Sequence, residues 1–242
     1  MIRANNIIKQ YGSKVVSNIA DFTINDGEIL GLVGNNGAGK TTLFRMILDL
    51  LKADNGHIEL TFKTKEGDTK CINVAGSEEW KPYTGAYIDE GFLIDFLTPE
   101  EYFAFLGKIS GLSQEEVDER LKGFEQLSNG ELFGQKKLIR NLSAGNKQKV
   151  GIIAAFLNKP QIVILDEPFN FLDPTSQNVL KHMIAEYNKA TGATIIISSH
   201  NLSHTVDIST RIVLLENGEI IRDINNIDNA AATELESYFG IE

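Results

Sequence analysis

A single cysteine, Cys71, stands in a chain of 242 residues. No internal disulfide is possible, so packing alone must hold the fold. Cys71 itself reads as an unreactive thiol in a strand. Long apolar runs are also missing. The longest, VGIIAAFL at 150–157, has about eight residues, against the roughly 20 that a membrane-crossing helix needs. The opening MIRANNIIKQYG lacks an apolar h-region, so no signal peptide is expected. Basic residues are too few for a protein that works by neutralising nucleic-acid phosphates: 23 Lys and Arg face 33 Asp and Glu, a net charge of −10. A nucleotide site stays open, because it needs only a local cluster of donors. The simplest expectation is a cytoplasmic protein whose membrane role, if any, runs through a partner.

What is present is ordinary globular composition, 42% hydrophobic and 23% charged. IRANNIIKQY, KVVSNIADFTIN and GEILGLVG read as strands, with Asn25-Asp26-Gly27 as a turn. KTTLFRMILDLL is apolar on most sides and suits a helix buried in an α/β layer. HIELTFKTKEGDTKCINVAG reads as a hairpin turning at Glu66-Gly67-Asp68. The middle is helical. Thr98-Pro99-Glu100-Glu101 and Ser113-Gln114-Glu115-Glu116 each carry a capping-box signature, before EEYFAFLGKIS and VDERLKGFEQL. NLSAGNKQKVGIIAAFL is a third helix, halted at Asn158-Lys159-Pro160. Alternation then resumes with the buried strand QIVILDE, a helix capped by Asp173 with Pro174 behind it, the strand ATIIISSH, and a hairpin over Asn217-Gly218. The plan is an α/β core, mostly parallel, with an N-terminal antiparallel β subdomain and an inserted helical lobe.

Three motifs carry chemistry. GNNGAGKT, Gly34 to Thr41, fits the phosphate-loop pattern and lies between a strand and a helix, the context that pattern requires. Gly34, Asn35, Asn36, Gly37, Ala38 and Gly39 would turn backbone N–H groups toward a phosphate chain, backed by Thr42. Lys40 adds a point charge, and the Thr41 hydroxyl is a Mg²⁺ ligand candidate. IVILDEP delivers Asp166 to the end of a buried strand, placed to hold Mg²⁺, with Glu167 as the general base for an attacking water. NLSAGNKQK opens a helix with Ser-x-Gly, a second anion site made of backbone amides and a hydroxyl.

In this order the motifs resemble the ABC ATPase family, whose signature is L-S-G-G-Q; here the residues are Leu142, Ser143, Ala144, Gly145 and Asn146, followed by Gln148 and Lys149. Ala144 keeps its backbone N–H, and Asn146 shortens one side chain. The resemblance covers nearly the whole chain and implies one domain over 1–242: a P-loop core from 1–90 and 160–225, a signature lobe over about 91–159, and a C-terminal helix at 226–242. It implies ATP and Mg²⁺ as cofactors. Tyr11 falls where the family stacks an aromatic on adenine, although an edge Tyr is the alternative. FNFLDP is similar to the D-loop, with Asp173 as its acid and also a helix N-cap. His200 matches the switch histidine at the γ-phosphate, whereas His57, His182 and His204 match nothing and read as surface or packing residues. The implied cycle closes two such domains head to tail around two ATP, with Ser143 and Gly145 completing the partner's site. One chain type would suffice for a homodimer; a heterodimer stays open.

The leading expectation is the ATP-hydrolysing subunit of a transporter whose permease is a separate integral membrane protein, with a lean toward the export branch. A soluble assembly ATPase, similar to the one of iron–sulfur assembly, is the alternative. The segment GAYIDEGFLIDFLTPEE falls where the family has its Q-loop, but an acid replaces the Gln. Asp89 is the candidate sensor of Mg²⁺ and the attacking water, Glu90 is its rival, and two solvated acids are the third reading. An acid here adds negative charge beside ATP, for Mg²⁺ or Lys40 to offset. The run FLIDFL reads as lobe core or as a permease docking surface.

Overall fold

A computed structural model describes residues 1–226 and Leu235. Four strands form an antiparallel sheet in the order β2-β1-β4-β5: β1 Ile2–Tyr11, β2 Lys14–Ile24, β4 Asn55–Lys63 and β5 Thr69–Asn73. Six strands form the main sheet: β3 Ile29–Val33, β6 Thr84–Tyr87, β7 Ile162–Leu165, β8 Thr194–Ser199, β9 Arg211–Glu216 and β10 Glu219–Asn225. Their order is β10-β9-β3-β8-β7-β6, parallel throughout except for the β10 edge. β3, β7 and β8 are buried at every position. That is why they read as continuous apolar runs: both faces of a parallel sheet are covered.

The strand period of two divides those side chains between two cores. Ile162, Ile164 and Ile196 face a core shared with the antiparallel sheet and with Leu43, Phe44 and Ile47 of helix α1, Lys40–Ile47. Val163, Leu165, Ile195 and Ile197 face the helical side. That side is built by α2 Pro99–Ile109, α3 Gln114–Lys122, α4 Glu125–Ser128, α5 Ala144–Phe156 and α6 Pro174–Thr191. A smaller cluster joins Val33, Ile212 and Leu214 to Val206 of α7, Leu202–Val206, and to Leu235. The expected C-terminal helix over 226–242 otherwise lies outside the described residues.

Local chemistry sets most helix boundaries. Both capping boxes form: Thr98 with Glu101, and Ser113 with Glu116, exchange side-chain and backbone bonds. Asp173 caps α6 with Pro174 behind it, and Gly192 ends it in the left-handed conformation. Three spans are shorter than expected. The helix after the phosphate loop ends at Ile47, where Leu48 leaves helical geometry and Asp49 turns left-handed (φ 53°). The segment VDERLKGFEQL is two helices, because Phe124 leaves helical geometry (φ −110°, ψ 11°). The strand expected to run through Glu167 stops at Leu165, since Glu167 takes a positive φ of 47° and turns the chain out of the sheet.

Candidate active site

The C-terminal ends of the parallel strands meet along one edge, where α/β sheets bind ligands. β3 leads into the loop 34–39, which opens α1. The loop needs its glycines: Gly39 has φ 108°, and a Cβ there would sit 2.8 Å from the Val16 carbonyl. At Gly34 a Cβ would lie 2.3 Å from the Leu215 carbonyl. Gly39 offers no side chain to cap α1, which leaves the first amides of that helix for an anion. Asn35, Asn36 and Gly37 are exposed, while Lys40 is buried and Thr41 and Thr42 half-buried.

Lys40 Nζ donates to the Gly34 carbonyl at 2.6 Å and lies 3.3 Å from Glu167 Oε1. The Thr41 hydroxyl donates to Asp166 Oδ2 at 2.5 Å. Asp166 accepts a second bond from Ser198 at the end of β8, and the Glu167 N–H donates to the same Ser198 hydroxyl at 2.8 Å. Burial pushes the Asp166 carboxyl above its ordinary pKa, although both hydroxyl bonds oppose the shift. Glu167 Oε2 pairs with His200 Nδ1 at 2.8 Å and accepts from the His200 N–H at 3.3 Å. Glu167 Oε1 is buried and makes no hydrogen bond, its charge facing the Lys40 ammonium.

These groups suit Mg²⁺ held jointly with a nucleotide. A buried carboxylate with a hydroxyl beside it is short of positive charge. Among the described residues no three His, Cys, Asp or Glu form a metal cage. Magnesium sites of this kind use one or two protein ligands and complete the shell with phosphate and water.

Tyr11 ends β1 with its ring 56% exposed, free to present a face, and Lys9 Nζ lies 5.5 Å from its centroid. Ser143 caps α5 by accepting from the Asn146 N–H at 3.2 Å. Gly145 lies against the D-loop segment: a Cβ would sit 2.6 Å from the Phe171 carbonyl. Asp173 accepts from the Thr175 and Ser176 N–H groups, each at 3.0 Å, and from the Ser176 hydroxyl. That hydroxyl, first among several donors, holds the Asp173 carboxyl below its ordinary range. Asp89 and Glu90 line a cleft of about 250 Å³ together with Asp166 and Glu167. The charge of Asp89 has a nearer partner than those expected for it: Arg45 Nη2 of α1, at 3.2 Å.

Ser198, Tyr87 and Glu131 were not singled out from the sequence, whereas Gln148 and Lys149 were noted after the signature. Ser198 joins both acids of the site, and its only signal was a polar residue inside a buried strand. Tyr87 donates to Gln148 Oε1 at 3.0 Å, and Gln148 Nε2 donates to the Glu167 carbonyl at 3.0 Å, tying α5 to the turn that follows β7. Buried Lys149 pairs with Glu131 at 3.2 Å. Of the unmatched histidines, His204 packs tilted against Phe169, with 5.1 Å between centroids and 33° between planes, and His57 bonds Asn5 at the surface. His182 lies beside Met183 and Tyr187 at a separate apolar cleft.

A family model described as ABC transporter matches residues 17–170. An uncharacterised ABC transporter ATP-binding protein of Methanocaldococcus jannaschii is 33% identical over 220 residues, covering 91% of this chain and 76% of that protein. A linearmycin resistance ATP-binding protein of Bacillus subtilis is 34% identical over 223 residues, covering 91% and 68%. A bacitracin transport ATP-binding protein of Enterococcus faecalis is 32% identical over 230 residues, covering 93% and 69%. The solved structure of an ATP-binding subunit of an ABC transporter overlays with a TM-score of 0.80 at 27% identity, over 100% of this chain and 94% of that one. A dimeric bacterial ABC transporter cassette shares the fold with a TM-score of 0.78 at 24% identity, over 94% and 99%. Motif order, sheet topology and these likenesses agree: the chain belongs to the ABC transporter family, as one of its ATP-binding ATPase domains.

Proposed function

We propose that this domain powers transport through a separate membrane permease by hydrolysing Mg-ATP between two copies closed head to tail. The observation that carries the reading is the convergence of Lys40, Thr41, Asp166, Glu167 and His200 on one sheet edge. The loop from Gly34 to Thr42 holds the phosphates with backbone amides, and Lys40 follows the charge of the β and γ groups. Tyr11 stacks on adenine. Thr41 and Asp166 would hold Mg²⁺, whose positive charge would offset that of the phosphates. Glu167 takes the proton of the attacking water, and His200 orients it through their 2.8 Å contact while reaching the γ-phosphate. Ser143, Gly145 and Asn146 begin α5 and complete the partner's site, with Asp173 steadying the segment beside them. Closure excludes water and strengthens each of these interactions.

The permease must be a different chain region or polypeptide, since no described helix is long and apolar enough to cross a membrane. Bound to it, the domain would lie on the inner membrane face. The name of the bacitracin transport relative supports a transport role. Purification in detergent tests the reading: an integral membrane protein is expected to comigrate, and a soluble scaffold in its place would count against it. Lys40→Ala is expected to abolish tight ATP binding; unchanged affinity in a titration would remove Lys40 from the site.

A further inference from the structure

Asp89 and Glu90 are neighbours in sequence, yet each is held by a different helix. Asp89 Oδ2 lies 3.2 Å from Arg45 Nη2 on α1, and Glu90 Oε2 lies 2.9 Å from Lys147 Nζ on α5. The backbone turns between them: Asp89 is extended (φ −159°, ψ 170°) and caps a 3-10 turn that opens at Glu90. Asp89 Oδ1 also accepts from the Gly91 N–H at 2.8 Å, which fixes the carboxylate's orientation.

The two cations occupy matching places. Arg45 is one helical turn past Thr41, the residue bonded to Asp166. Lys147 is one turn past Ser143, and its N–H donates to the Ser143 carbonyl at 2.9 Å. Residues at that spacing share a helix face. The Asp89-Glu90 pair therefore touches the two helices that follow the phosphate loop and carry the signature, one acid to each. A single amide at this position would reach one partner at a time.

We propose that Asp89 and Glu90 form a charged crossbar between α1 and α5, with Arg45 and Lys147 as positioning residues in ATP turnover. The proposal rests on the reading that α1 serves this chain's nucleotide and α5 the partner copy's. The crossbar then ties the geometry of one ATP site to that of the other. All four side chains are partly exposed, from 23% at Lys147 to 60% at Glu90. Such pairs add little to folding stability, and salt screens them. Their effect lies in the relative placement of two helices.

The test is steady-state ATP hydrolysis by the full chain. In the double neutral variant Asp89→Asn/Glu90→Gln, and in Arg45→Glu, kcat is expected to fall about two- to fivefold with KM for ATP nearly unchanged. The swap Arg45→Asp with Asp89→Arg is expected to recover most of the loss. Raising salt from about 0.05 to about 0.5 M is expected to bring wild-type turnover toward that of the neutral variant. Wild-type kcat in the neutral variant, or a swap no better than Arg45→Glu, overturns the crossbar. The swap Glu90→Lys with Lys147→Glu repeats the test on the other arm, so misfolding of one variant leaves the other decisive. Glu167→Gln measured alongside separates the two readings. If it loses turnover while the neutral variant does not, the crossbar alone fails; if it keeps turnover, the base assignment fails and the swaps still judge the crossbar.

Discussion

Glu167 stands between an ammonium at 3.3 Å and an imidazole at 2.8 Å, in a left-handed backbone conformation that a side chain rarely adopts. That position suits a base that must face an incoming water. Glu167→Gln is expected to keep ATP binding and to lower turnover by about 10²- to 10⁴-fold. Wild-type rates would end the assignment. Asp173 shows how one charge serves the fold, as the cap of α6. Its pKa is depressed in the folded chain, so the ionised form is favoured there. The sign follows: its stabilisation is present above the unfolded value and lost as pH falls through the folded one. The urea midpoint of Asp173→Ala should therefore fall below wild type at neutral pH, and the gap should close as pH drops below the ordinary value of 3.8. A gap that widened in acid would contradict this.

At the scale of elements, the segment after β6 divides residue by residue. Leu93 is buried among Tyr87, Tyr102 and Phe103, whereas Phe92 is 51% exposed. The docking expectation for FLIDFL therefore survives at Phe92 and Phe96, and the core reading holds at Leu93. Leu93→Glu should cost about 2–4 kcal/mol of stability by burying a carboxylate without a partner. Phe92→Glu should stay within about 0.5 kcal/mol of wild type. Denaturant titration checks both, and equal losses would merge the two residues into one core. α5 makes a second element-scale case. A Cβ at Gly151 would lie 2.1 Å from the Tyr87 ring, so Gly151→Ala should destabilise by about 1–3 kcal/mol through overpacking. A melting temperature equal to wild type would show that Tyr87 moves aside freely.

At the scale of the whole molecule, the two cores lie on opposite faces of one parallel sheet, and the phosphate loop, Asp89, the Asp166-Glu167 pair and His200 follow the C-terminal ends of β3, β6, β7 and β8. The signature at the start of α5 belongs to that assembly, yet its Ser143 caps its own helix and makes no contact with Lys40 or Glu167 among the described bonds. The proposed head-to-tail closure gives it a partner's nucleotide to meet. Glu167→Gln with Mg-ATP is expected to elute as a dimer in size-exclusion chromatography, and to return to monomer when ATP is withdrawn. A monomer at saturating ATP would count against head-to-tail closure.

The sequence by itself determined what is local or strictly spaced. Capping boxes need residues three positions apart, so both were legible. The phosphate loop is contiguous, and the runs IVILDE and IIISSH announced buried strands because both faces of the sheet are covered. Only the tertiary structure decided which groups meet across the chain. Ser198 bonds both Asp166 and Glu167 because β8 lies beside β7, a pairing that no local pattern states. Arg45 neutralises Asp89 for the same reason. α1 and the segment after β6 lie far apart in sequence, and the distance that couples them exists only once the sheet has brought their ends together.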